Sequence, residues 1–215
     1  AWLETYLVNY NGALIIKGDS NQYETIIEHP LDKKEIHTFL ELVKTEFPSV
    51  SINLYSGKDW ITERFDKWVQ IEADITGEHP LIQNVLLPVL DALIPVHKLL
   101  LIDEAAVIQQ LHDYLQSLDF PNTSFYLSKD NYMEVTHQQV SKEHALLEVA
   151  NHYQIPLEQV MTIGDNFNDL PMLRLAGLGV AMGNAPQEVK ADARTETYSN
   201  NQHGVAKAIE KYVLI

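Results

Sequence analysis

The spacing of apolar residues changes several times along the chain, and each change predicts an element. Tyr6-Leu7-Val8-Asn9-Tyr10 reads as a strand, Asn11-Gly12 as a turn, and residues 13–17 and 23–27 as two further strands joined by the polar Gly18-Asp19-Ser20-Asn21-Gln22. From Pro30 the period becomes helical: Ile36, Phe39, Leu40, Val43 and Phe47 recur on one face until Pro48 stops the pattern. Residues 51–55 alternate as a half-buried strand, Ser56-Gly57-Lys58-Asp59 turns, and Phe65, Trp68 and Val69 mark a second helix beginning near Thr62. Trp60 and Trp68 belong to a core. Residues 97–102 read as a buried strand, after which Asp103 caps a helix with the apolar stripe Val107, Ile108, Leu111, Tyr114, Leu115 and Leu118. Residues 124–127 and 132–136 form a hairpin around Lys129-Asp130-Asn131.

Beyond residue 138 the pattern is that of strands alternating with helices. Ser141 is a good N-cap for a helix whose stripe is Ala145, Leu146, Val149, Ala150 and Tyr153. The run Val160-Met161-Thr162-Ile163 is apolar and β-branched enough for a buried parallel strand, Gly164 allows a turn, and Pro171 suits only the first turn of the next helix. Gly183-Asn184-Ala185-Pro186 turns into another helix, residues 195–198 offer a last strand, and His203-Gly204-Val205 opens a closing helix.

Composition narrows the partners. The 215 residues are 46% hydrophobic, ample for a core, and carry a formal charge of −15, which repels the phosphate backbone that nucleic-acid binders neutralise. Nucleic acid is not an expected partner. The same charge repels phosphorylated metabolites, so a phosphate site must supply its own positive charge from a metal, a lysine or helix amides. The absence of cysteine excludes disulfides and thiolate metal sites and fits the cytoplasm. The most apolar stretch, residues 85–102, is broken by Pro88, Asp91, Pro95, His97 and Lys98, so no membrane span is expected, and residues 1–4 lack the start of a signal peptide. None of the nine histidines stands in an HxH or HExxH pattern.

Chemistry concentrates where the strand 160–163 breaks at Gly164 into Asp165-Asn166-Phe167-Asn168-Asp169. A carboxylate just past a strand's carboxyl end, with Asn168 and Asp169 one turn on, suits an oxygen-preferring cation such as Mg²⁺. Helix capping explains the same residues, and spacing alone leaves both readings open. Lys142 lies in the first turn of its helix, where a cation opposes the helix dipole by roughly 0.3–1 kcal/mol. Its position is explained by an anion or carboxylate between it and the amides, or by simple solvation. Asn184 reads either as an outer group of the same site or as an ordinary turn residue.

Gly164-Asp165-x-x-Asn168-Asp169, followed by Leu178-Gly179-Val180-Ala181-Met182-Gly183-Asn184-Ala185, resembles the fourth motif of haloacid dehalogenase-type phosphatases, and more narrowly the Cof-type subfamily, along residues 140–212. Val140-Ser141-Lys142 resembles the third motif. The resemblance implies an α/β fold with a Rossmann-like parallel-sheet core, here incomplete, from residues 1–28 and 139–215, and an inserted α+β cap domain at 29–138. It implies a Mg²⁺-dependent hydrolase of small phosphorylated metabolites, sugar phosphates by default, working through an aspartyl phosphate. Asp165 and Asp169 would hold the metal, Asn168 and Lys142 would meet the phosphate, and Lys142 would be the catalytic charge-balancing group.

The chain departs from the family at its beginning. The family's first motif, a strand ending in Asp-x-Asp-Gly-Thr that supplies the nucleophile and the acid-base group, does not occur in the sequence, nor does the second. The expected missing segment is two βα units, on the order of 60 to 80 residues. The strand at 6–10 is then expected to lie apart from the strand at 160–163, and the chain by itself to be inactive. The alternative is a non-catalytic fragment that binds a ligand or partner without turnover.

Overall fold

The computed structural model describes residues 6–18 and 22–214 and divides into two compact units, residues 1–140 and 141–215. The first unit opens with β1 (Tyr6–Asn9), β2 (Leu14–Gly18) and β3 (Tyr23–Glu28), an antiparallel sheet in that order. The turn between β1 and β2 needs left-handed backbone at Tyr10 and Asn11 (φ 54° and 58°) and still more open backbone at Gly12 (φ 111°), as its Asn-Gly sequence predicts. Much of the polar loop between β2 and β3 lies outside the described residues. The segment 6–28, expected with the core, falls within the first unit.

There follow α1 (Lys33–Glu46), β4 (Ser51–Ser56), β5 (Asp59–Thr62), α2 (Lys67–Thr76), β6 (Leu81–Ile82), α3 (Leu86–Leu90), β7 (Lys98–Ile102), α4 (Ala105–Leu115), β8 (Thr123–Lys129) and β9 (Tyr132–His137). The six strands pair in the order β6-β5-β4-β7-β9-β8, antiparallel except for β5 with β6. Ile36, Phe39, Leu40 and Val43 of α1 and Ile108, Leu111 and Leu115 of α4 share one core with Leu54, Leu99, Leu101, Met133 and Val135 of the sheet. Each fully buried side chain of this kind is worth about 1.5–3 kcal/mol.

Three expectations change in this unit. β4 is not half-buried: α2 contributes Val69 and Ala73 to a cluster with Trp60 and Tyr55, so Ser51 and Asn53 are buried as completely as Leu54. Asn53 meets this burial by bonding Trp60 Nε1 (2.9 Å) and Leu100 O (3.2 Å). The helix expected near Thr62 begins at Lys67, because Thr62 ends β5 and Asp66 is the better cap, its Oδ1 accepting from the Trp68 and Val69 amides at 3.0 and 3.1 Å. Phe65 is left 48% exposed before that helix. Asp103 does not cap α4 either; it accepts from the adjacent Glu104 amide, and Glu104 is the capping residue, without a side-chain bond. Among the described residues no helix is long and apolar enough to cross a membrane.

The second unit runs α5 (Lys142–His152), β10 (Met161–Gly164), α6 (Leu170–Leu175), β11 (Leu178–Ala181), α7 (Gln187–Asp192), β12 (Thr195–Glu196) and α8 (Gly204–Tyr212). β10, β11 and β12 are parallel neighbours in that order, Gly164 standing opposite Ala181 and Ala181 opposite Glu196. Their carboxyl ends therefore lie side by side. The loops leaving them, 165–169, 182–186 and 197–203, share that edge.

Candidate metal and phosphate site

The loop after β10 is a short 3₁₀ turn, Phe167–Asp169, closed by a capping box between Asn166 and Asp169. This arrangement gives the two motif carboxylates opposite environments. Asp169 is 2% exposed, and its Oδ2 accepts from the amides of Asp165 (2.9 Å) and Asn166 (3.0 Å). Its Oδ1 accepts from Lys142 Nζ at 2.6 Å. Gly164 makes room for this carboxylate: a Cβ there would sit 2.4 Å from Asp169 Cβ and 2.8 Å from Cγ, so only glycine fits with the aspartate in place.

Asp165, four residues earlier, is exposed at the carboxyl end of β10. Its Oδ2 accepts from Asn184 Nδ2 at 2.9 Å, and among the described residues Oδ1 accepts no hydrogen bond. Asn168 is also exposed on the turn between the two aspartates. Lys142 is the first residue of α5, whose Ser141 cap accepts from the His144 amide at 3.0 Å. Its side chain remains 34% exposed, so the ammonium, with three donors, keeps a side toward solvent while one donor is fixed on Asp169.

The structure thus brings Lys142, Asp165, Asn168 and Asp169 together, but in two tiers. Asp169, expected beside Asp165 as a metal ligand, already has both oxygens engaged by three donors of the protein. Its place is beneath the turn, holding the lysine. Lys142 has a carboxylate partner in Asp169, but that carboxylate accepts from the amides of Asp165 and Asn166, not from the first turn of α5. Asn184, read from the sequence as either an outer group of this site or a turn residue, donates to Asp165; the Asn200 amide, which donates to Asn184 Oδ1 at 2.9 Å, was not foreseen. The capping-box spacing from Asn166 to Asp169 was the available signal that Asp169 turns inward to backbone.

Asp165 fits a divalent cation by its chemistry: it is an exposed hard-oxygen donor with one oxygen uncommitted. Mg²⁺ in phosphate-handling sites takes only one or two carboxylates from protein, with water and phosphate oxygens completing its shell.

Comparison with known proteins gives a consistent picture. The family model for haloacid dehalogenase-like hydrolases matches residues 2–209. A Haemophilus influenzae protein named provisionally as a phosphatase is 34% identical over 208 residues, covering 95% of this chain and 75% of its own length. A Bacillus subtilis 5-amino-6-(5-phospho-D-ribitylamino)uracil phosphatase is 44% identical over 87 residues, 40% of this chain and 35% of its own. Among solved structures, a haloacid dehalogenase-like hydrolase from Bacteroides thetaiotaomicron resembles the chain with a TM-score of 0.86 and 31% identity, over 97% of this chain and 76% of that one.

Proposed function

The chain belongs to the haloacid dehalogenase-like hydrolases, whose members generally use a divalent metal, and from that premise we propose that it carries the metal-binding and charge-balancing part of a Mg²⁺-dependent phosphatase of small cytoplasmic metabolites. The observation that carries this reading is the division of labour between two carboxylates four residues apart. Asp165 faces outward with an oxygen to offer, and Asp169 faces inward and fixes a lysine at 2.6 Å.

In this reading Asp165 holds Mg²⁺, which when bound neutralises charge on the phosphoryl oxygens. Lys142 supplies the second positive charge, its free donors meeting phosphoryl oxygens as a point charge. Asp169 keeps that ammonium at the carboxyl edge of the sheet, its Oδ1 accepting from Lys142 while its Oδ2 is fixed by two backbone amides. Asn168 offers an uncharged amide to the phosphate from the same turn. Substrate choice is assigned to residues 29–138, the segment proposed as an inserted cap, with 1–28 and 139–215 proposed as parts of the core. Within the first unit, an open cavity of about 440 Å³ is lined by Tyr10, Tyr55, Lys58, Trp60, Glu78 and His79.

The nucleophile is assigned to no residue between 1 and 215, because no aspartate in this sequence has the Asp-x-Asp-Gly context. The polypeptide alone is therefore expected to bind Mg²⁺ and inorganic phosphate without turning over p-nitrophenyl phosphate or sugar phosphates. Calorimetric titration tests this. Asp165→Asn should abolish Mg²⁺ binding and Lys142→Ala should weaken phosphate, whereas unchanged Mg²⁺ affinity in Asp165→Asn refutes the assignment. Mg²⁺-dependent turnover well above the Asp165→Asn control would mean that the nucleophile lies within this chain after all.

A further inference from the structure

Asn184 lies in the motif-like run 178–185 and has no assigned role in the proposed reaction, yet its side chain is committed at both ends. Its Nδ2 donates to Asp165 Oδ2 at 2.9 Å, and its Oδ1 accepts from the Asn200 amide at 2.9 Å. These two neighbours decide which way the amide points. A backbone N–H can only donate and a carboxylate can only accept, so a flipped amide would face donor with donor and acceptor with acceptor. Asn184 therefore has one orientation, with its NH₂ on Asp165.

The frame behind it is fixed independently. Met182 N donates to Gly164 O (2.9 Å) and Gly183 N to Tyr198 O (3.1 Å), so the loop after β11 is tied to the ends of both β10 and β12. Lys190 Nζ donates to Gly183 O at 2.8 Å. A Cβ on Gly183 would lie 2.7 Å from Ser199 N, so that approach requires glycine. On the far side, Asn200 begins a turn closed by a capping box between Ser199 and Gln202. An exposed side chain anchored to two fixed backbones is well suited to fixing a third group.

From this geometry we propose that Asn184 is a positioning residue for the Asp165 carboxylate, holding Oδ2 so that Oδ1 is presented to the divalent cation. The proposal rests on Asp165 being the metal ligand. The choice of residue follows from the chemistry. A lysine or arginine at 184 would form an ion pair with Asp165 and compete with the cation, as Lys142 occupies Asp169. A neutral amide orients the carboxylate and leaves its charge available. Partners of this kind behind a metal ligand typically change metal affinity by about 10–100-fold when removed.

The test is titration of the 215-residue chain with Mn²⁺, read by water-proton relaxation, beside thermal unfolding of the metal-free protein. Asn184→Ala should weaken Mn²⁺ about 10-fold and leave the metal-free midpoint in place, since the residue is exposed. If the alanine variant is also less stable, Asn184→Gly, compatible with any turn geometry, must show the same loss of affinity at the wild-type midpoint. Affinity within twofold of wild type in both variants, with binding abolished in Asp165→Asn, would make Asn184 a turn residue and overturn the proposal alone. Binding that is absent from the wild type, or that survives Asp165→Asn, removes Asp165 as the ligand and the proposal with it.

Discussion

Replacing Asp169 by alanine is the sharpest perturbation of the second unit, because one side chain there terminates three hydrogen bonds. The bonds from the Asp165 and Asn166 amides and from Lys142 all end on a carboxylate that is 2% exposed. Bonds to a charged group contribute about 1.5–3 kcal/mol each. The full sum does not apply here. Lys142 is 34% exposed and can turn to water, and the two amides lie on an exposed turn. We therefore expect a loss of about 3 kcal/mol, against a total of roughly 4–11 kcal/mol for a unit of about 75 residues. Asp165→Ala removes a single bond from an exposed residue and should stay within about 0.5 kcal/mol. Trp2, Trp60 and Trp68 all belong to residues 1–140, so tryptophan fluorescence does not report on this unit. Amide hydrogen exchange of β10 and β11 does, and Asp169→Ala should lower their protection about 100-fold, the equivalent of about 3 kcal/mol. A change under threefold, or an equal loss in Asp165→Ala, would refute the claim that the inward carboxylate is the structural one.

Gly164→Ala should lower the same protection by about 1–3 kcal/mol, since the new methyl group must displace an aspartate held by three bonds; a crystal structure of the variant with the Lys142 to Asp169 bond intact would contradict this. In the first unit, His97 is fully buried, with Nδ1 accepting from the Gly57 amide at 3.0 Å, which leaves Nε2–H to donate to Glu28 Oε1 at 3.0 Å. Burial lowers its pKa from the ordinary value, against the opposing pull of Glu28. The unfolded chain therefore takes up a proton below about pH 6.5 that the folded unit resists, and stability falls on acidification by at most about 1.4 kcal/mol per pH unit. Urea unfolding followed by tryptophan fluorescence between pH 7.5 and pH 5.5, values chosen to span about pH 6.5, should show this slope, and His97→Asn should flatten it.

The elements were legible in the sequence wherever one period and one cap agreed. α5 has its stripe and the Ser141 cap, and α1 has a stripe stopped by Pro48, so both form where the pattern places them, although the Asp32 cap of α1 was not read from the sequence. Legibility failed where two signals of similar strength competed. At 59–69 the β-branched and aromatic run Trp60-Ile61-Thr62 argues for a strand, while Thr62, Phe65 and Val69 can be read as a helical start. Asp66 decides for the later start by satisfying two amides, but the alternative caps Thr62 and Asp66 differ by only a few tenths of a kcal/mol in intrinsic preference. β4 was misjudged for a non-local reason: the second layer that buries it is α2, whose arrival cannot be read from the strand's own alternation.

The candidate site shows the same limit at the scale of single atoms. The motif places two carboxylates four residues apart after a strand, and pattern alone treats them as equivalent oxygen donors. Their difference comes from the turn. A 3₁₀ turn starting at Asn166 points residue 169 back at the amides of residues 165 and 166, which have no other acceptor within the turn. A buried carboxylate there collects those amides and a lysine, and each added donor lowers its availability to a cation. Asp165, one residue before the turn begins, escapes this fate and meets a neutral amide instead. Which carboxylate turns inward is therefore set by register within the turn: moving the cap by one residue would put Asn168 or Leu170 at the inward position and leave the two amides without a carboxylate.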